Sequence, residues 1–128
     1  MRQSNHNNTL VMVASIAATL ILNSTVLTAG QFFFSLIEDL PLMPQLAEQT
    51  ELSMTFETSA GRVSNVQANG LTNPDAVNAY YKESLPQLGW KLQLDGSYLR
   101  ENELLFMRIE RSPNNMVKVV FYLKPLNQ

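Results

Sequence analysis

Between Gln3 and Ile37 the chain carries no formally charged side chain. Leu10–Leu22 is apolar except for Ser15 and Thr19, and Asn23-Ser24-Thr25 interrupts the run before Val26 and Leu27 resume it. A helix this apolar on every face needs a far larger core than the rest of the chain can supply, so this segment is expected to enter or cross a membrane. Two readings stand side by side. Met1–Asn8, Leu10–Leu22 and Thr28-Ala29-Gly30 have the layout of a signal peptide: an n-region, an h-region and a small-residue cleavage site. Alternatively, Thr9–Ala29 is an uncleaved helix, which at ~1.5 Å per residue spans the ~30 Å of a bilayer core. Phe32–Phe34 favour retention, because cleavage at Gly30 would leave a sticky aromatic terminus. Asn23-Ser24-Thr25 favours cleavage. Arg2 precedes the segment and Glu38 and Asp39 follow it, which orients the N-terminus inside. Residues 1–37 are thus read as a signal peptide or transmembrane anchor. The rest is expected outside the cytoplasm, tethered to the membrane or secreted into a bacterial periplasm.

Residues 38–52 read as a connector. Pro41 and Pro44 each fix φ and bias the preceding residue to extended structure, so no helix forms there. The apolar Leu40, Leu42, Met43 and Leu46 need cover, either on the chain's own domain or in a partner's groove for extended peptide. Pro41, Met43 and Pro44 are candidate contact residues for that groove.

Residues 53–128 fit one small domain. Met54 and Phe56 alternate with Thr55 and Glu57, Ser59-Ala60-Gly61 supplies a turn, and Arg62–Ala68 returns as a second strand. Asn73 then caps a helix with Pro74 at its first position and Asp75 in its first turn. Val77, Tyr80, Tyr81, Ser84, Leu85 and Leu88 recur at helical spacing, and Pro86 limits the helix to about Leu85. Three strands follow. Trp90, Leu92 and Leu94 alternate up to the Asp95-Gly96 turn. Leu105, Met107 and Ile109 alternate up to Ser112–Asn115, and Val117, Val119, Phe121 and Leu123 alternate up to Pro125. The order ββαβββ predicts an α+β domain with one helix packed on one face of an antiparallel sheet. The opposite face is expected to carry Arg108, Lys118, Tyr122 and Lys124, with Glu110 among them. Arg62 and Arg111 are candidates to join them in a modest basic patch.

The run from Asn73 to Trp90, with its Tyr-Tyr, Leu and Gly-Trp and the short strands after it, resembles the helix-then-strand unit of the outer-membrane assembly lipoprotein BamC and its structural relatives. Leu40–Pro44 together with Thr58–Arg62 resembles a group of uncharacterised alphaproteobacterial exported proteins. The likeness covers roughly 40–123 and implies a helix-grip arrangement and an envelope location. It implies no catalytic residues, and the chain lacks the lipobox cysteine and second domain of BamC.

The chemistry available is narrow. There is no cysteine, so disulfides and thiolate metal sites are excluded. His6, the one histidine, precedes the apolar segment, which leaves the domain without a Ser-His or Cys-His pair. No glycine-rich phosphate loop or calcium loop is present. Glu101 and Glu103 read as a solvated turn and not as paired catalytic acids. A net charge of −2 gives no general basic footprint for nucleic acid. The expectation is a non-enzymatic interaction or accessory module of a larger envelope assembly, without cofactor or metal. It would contact the membrane through its N-terminal segment and a protein partner through its domain, with Tyr80 as a further candidate contact. A small-molecule or lipid pocket between helix and sheet, lined by Tyr80, Tyr81, Trp90 and Phe121, is the alternative.

Overall fold

The computed structural model describes residues 32–128. The signal or anchor reading of the N-terminal segment therefore falls almost entirely outside the described residues. No helix among the described residues is long and apolar enough to cross a membrane.

One helix lies on a largely antiparallel sheet, as the pattern predicts. The elements run β1 (Phe32–Phe33), β2 (Pro41–Leu42), β3 (Ala47–Glu48), a 3₁₀ turn (Thr50–Leu52), β4 (Met54–Thr58), β5 (Gly61–Leu71), α1 (Pro74–Gln87), β6 (Lys91–Leu92), β7 (Tyr98–Arg100), β8 (Glu103–Arg111) and β9 (Met116–Pro125). In the main sheet the strands lie in the order β3-β5-β9-β8-β7-β6, and β4 pairs with the other half of the β5 edge. All pairs are antiparallel. The helix carries the chain from β5, near one margin of the sheet, to β6 at the other. A four-strand meander then returns to β5.

Local chemistry explains these bounds. Asn73 Oδ1 accepts the Ala76 N–H at 2.9 Å, and Pro74 opens the helix. The helix runs two residues past the expected Leu85, because proline's φ suits a helix and Pro86 forfeits only one hydrogen bond in the last turn. Gly89, at φ +88°, then turns the chain so that the Trp90 N–H reaches the Leu85 carbonyl. The meander has four strands where three were expected. Glu101 adopts φ +51° and makes a tight turn that separates β7 from β8. Leu92 and Leu94 do not continue an inward row: both are exposed around the Asp95-Gly96 turn. That turn is held by Asp95 Oδ1, which accepts from the Ser97 N–H and hydroxyl and keeps the Asp95 carboxyl below its usual pKa.

The core needs more than the helix. Val77, Tyr81 and Leu85 cover part of the inner sheet face. The remainder is covered by residues 34–46, which take in the end of the segment read as signal or anchor (1–37) and the first part of the connector (38–52). Phe34, Ile37, Leu40, Met43 and Leu46 are all buried, so this stretch is a strap built into the domain. Phe34 meets Phe121 edge-on at 5.6 Å, and Phe121 meets Tyr81 at 4.8 Å. The Ser35 N–H and hydroxyl donate to the Glu48 carboxylate, and Asp39 pairs with Arg100. The strap also crosses directly over Gly70, where a Cβ would collide with the Gln45 carbonyl. The missing side chain is what lets the two backbones approach.

Candidate functional site

The sheet face opposite the helix offers the best candidate surface. Its residues are set by the two-residue period of β5, β8 and β9. The register places Phe106 beside Tyr122, Arg108 beside Val120, Glu110 beside Lys118 and Leu104 beside Lys124. On β5, Asn65, Gln67 and Asn69 stand beside Tyr122, Val120 and Lys118. The inner-facing alternates Leu105, Val119, Phe121 and Leu123 are fully buried. The same alternation therefore exposes the outer set.

That face has an apolar centre and a charged rim. Val120 is buried at the centre, and the Phe106 and Tyr122 rings lie 6.3 Å apart. Asn65, Phe106, Met107, Arg108, Val120 and Tyr122 line a depression of about 400 Å³. Glu110 accepts from Arg108 at 2.8 Å and from Lys118 at 2.7 Å. The Lys118 hydrogen bond is the largest cause holding the Glu110 carboxyl below its ordinary pKa, with Arg108 adding to it. Lys124 donates to the Gln128 carbonyl, and its ammonium lies 5.9 Å from the Phe106 ring. One carboxylate thus spans two of the face's three cations, which leaves the face net positive on a chain that is net negative.

The sequence-predicted contact residues divide between two sides of the molecule. Arg108, Lys118, Tyr122 and Lys124 come together on the outer face. Pro41 and Met43 are buried in the strap, where their backbone groups bind the Tyr81 hydroxyl and leave nothing for a partner's groove. Pro44 is exposed on the helix side. Tyr80 is half-buried against the core, edge-on to Tyr81 at 4.9 Å. The wider basic patch does not form. Arg62 lies on the inner side and pairs with Glu103 at 2.9 Å, while Arg111 sits at the end of β8 beside a small notch at the start of α1.

The space between helix and sheet is occupied by core side chains. Tyr81 and Phe121 are fully buried, Trp90 is nearly so, and the strap's Phe34 fills the gap beside them. Arg100 caps Trp90 from outside, 4.1 Å above its ring, and also donates to the Leu88 carbonyl. Val120 and Phe106 are the outer-face residues missed as candidates. Their signal was an apolar pair at positions the alternation assigns to solvent.

Comparison of the chain with protein-family models, with curated proteins and with solved structures finds no match.

Proposed function

We propose that the chain is a non-enzymatic envelope protein that docks on a larger assembly through the outer face of β8 and β9. The observation that supports this is the combination of an apolar depression with a rim of Arg108, Lys118 and Lys124 on a sheet face that no helix among the described residues covers. Interface centres tend to be aromatic and apolar with polar rims, and this face has that anatomy. In this reading the segment up to Gly30 delivers the domain out of the cytoplasm as a signal or helical anchor, Phe34 and Ile37 belong to the domain's core, and the domain works in a periplasm. A ligand between helix and sheet is the less favoured reading, since Tyr81, Trp90 and Phe121 fill that space with one another.

The test is site-specific photo-crosslinking of the full chain in its own membranes. A photoreactive residue at Tyr122 or Phe106 should give one adduct of defined mass. The same group at Asn78, on the exposed side of α1, should give none. Arg108→Glu with Lys118→Glu should weaken the Tyr122 adduct. Equal labelling at all three positions, or no adduct, would end the reading. N-terminal sequencing of the mature protein decides between anchor and cleaved signal.

A further inference from the structure

The outer face continues past β5 to the β4 margin, where Met54 stands beside Asn65 in the row that holds Tyr122 and Phe106, and this margin offers an edge that the β8–β9 depression does not use. Leu52, Met54 and Phe56 stand at alternate positions and are 55%, 51% and 56% exposed. β4 pairs with β5 on one side, and among the described residues no strand pairs with its other side. The other margins of the main sheet are blunted. β3 and β6 are two residues long, and β6 begins with Lys91. Short edge strands and edge lysines are how natural sheets discourage further pairing. β4 is five residues long and has no proline, lysine or arginine from Ser53 to Thr58. An edge of this length, with Glu57 as its one charge and Met54 and Phe56 exposed, is a template for one more strand.

We infer that the added strand is β4 of a second copy of this chain, running antiparallel with Thr55 opposite Thr55. In that register Met54 faces Phe56, twice by symmetry, which joins the two exposed rows into one apolar cluster. Ser53 faces Glu57, so the Glu57 carboxylates never oppose each other, and Glu51 falls opposite Ser59. No like charges meet, although the strand and its flank carry only negative ones. A register centred on Phe56 would instead set Met54 against Thr58, whose hydroxyl already donates to the Gly61 carbonyl at 2.6 Å in the turn. The self-match satisfies the demand of a two-fold interface, in which one patch must complement itself. The symmetry axis stands perpendicular to the sheet. It makes one continuous sheet of the two copies and keeps both β8–β9 faces on the same side.

A strand-edge interface is smaller than the ~800 Å² per partner of stable complexes, so the association is weak and concentration-dependent. A cysteine trap suits it, because the chain has no cysteine of its own. Opposed residues of an antiparallel pair have Cα atoms ~4.5–5.5 Å apart, within disulfide range. The full chain carrying Thr55→Cys, in non-ionic detergent under mild oxidation, should form a disulfide dimer. It should do so at least ~10-fold faster than Lys91→Cys on the opposite margin, since only the former thiols are held at high effective concentration. Adding Phe56→Lys should reduce the Thr55→Cys rate to that of Lys91→Cys. Circular dichroism should show the double variant folded, because Phe56 is exposed. Equal rates at the two margins, or no effect of Phe56→Lys, overturn the proposal. So does a Thr55→Cys protein that stays monomeric in its own membranes while its thiol is shielded from maleimide, since another protein's strand would then cover the edge.

Discussion

The Tyr81 hydroxyl donates to the carbonyl of Pro41, 40 positions earlier in the chain, at 2.9 Å. It also accepts the N–H of Met43 at 3.2 Å. One phenol on the helix therefore satisfies two buried backbone groups of the strap.

Removing the hydroxyl tests this joint. Tyr81→Phe keeps the ring against Phe121 but leaves a buried donor and a buried acceptor unpaired, at about 1–3 kcal/mol each at most. Urea unfolding should show a lower midpoint with an unchanged slope. Tyr81→Ala should cost about 3–5 kcal/mol, because a cavity is added.

The same phenol sets an alkaline limit. Burial is the main reason its pKa is raised above that of a free tyrosine. The unfolded phenol ionises near ~10. Stability from Tyr81 is thus fully present below that pH and is lost as the pH rises towards the higher folded value. Absorbance titration should show a tyrosine that ionises late, together with the loss of near-ultraviolet circular dichroism. In Tyr81→Phe that late step should disappear.

Gly70→Ala should be damaging for a reason unrelated to glycine's flexibility. The new methyl would occupy the place of the Gln45 carbonyl, so the strap must lift from β5. Overpacking of this kind costs about 1–3 kcal/mol or more. Hydrogen exchange should speed up at Leu46 and Gln49, whose N–H groups bond to Met43 and Gln67, before it does in β8.

Glu110 gives a readout on the outer face. Its carboxyl is held low chiefly by Lys118, so this pair's contribution is present above the unfolded carboxylate pKa and is lost as the pH falls through the folded value. Carboxyl-carbon NMR titration should find Glu110 below the usual range. Lys118→Met should raise it, and Arg108→Met should raise it less.

The helix, the β4–β5 hairpin and the outer-face set of β8 and β9 were legible because period and caps determine them locally. Asn73-Pro74 and the alternation from Val117 to Leu123 needed no tertiary knowledge. The strap was legible only as one of two alternatives, packing on its own domain or in a partner's groove, and Phe34 and Ile37 were not assigned to it at all. Pro41 and Pro44 correctly forbid a helix, but extended chain carries no periodicity that says which surface its Leu40, Met43 and Leu46 will meet. The split of the meander at Glu101 was also hidden, since a glutamate with positive φ has no sequence signal of the kind Gly96 provides. The apolar centre of the outer face was half visible: its cations were identified, while Val120 and Phe106 between them passed as ordinary strand residues.

The strap has one more consequence, and it is mechanical. A free connector over residues 38–52 would give the domain a reach of ~50 Å from the chain that precedes it. With Phe34 locked against Phe121 and Asp39 held by Arg100, that slack is gone. Tension applied through Phe32 would pass directly into the core. Under the docking role proposed above, a tether at that point would hold the domain at short range, and a search through a wide volume would give way to a surface already aimed.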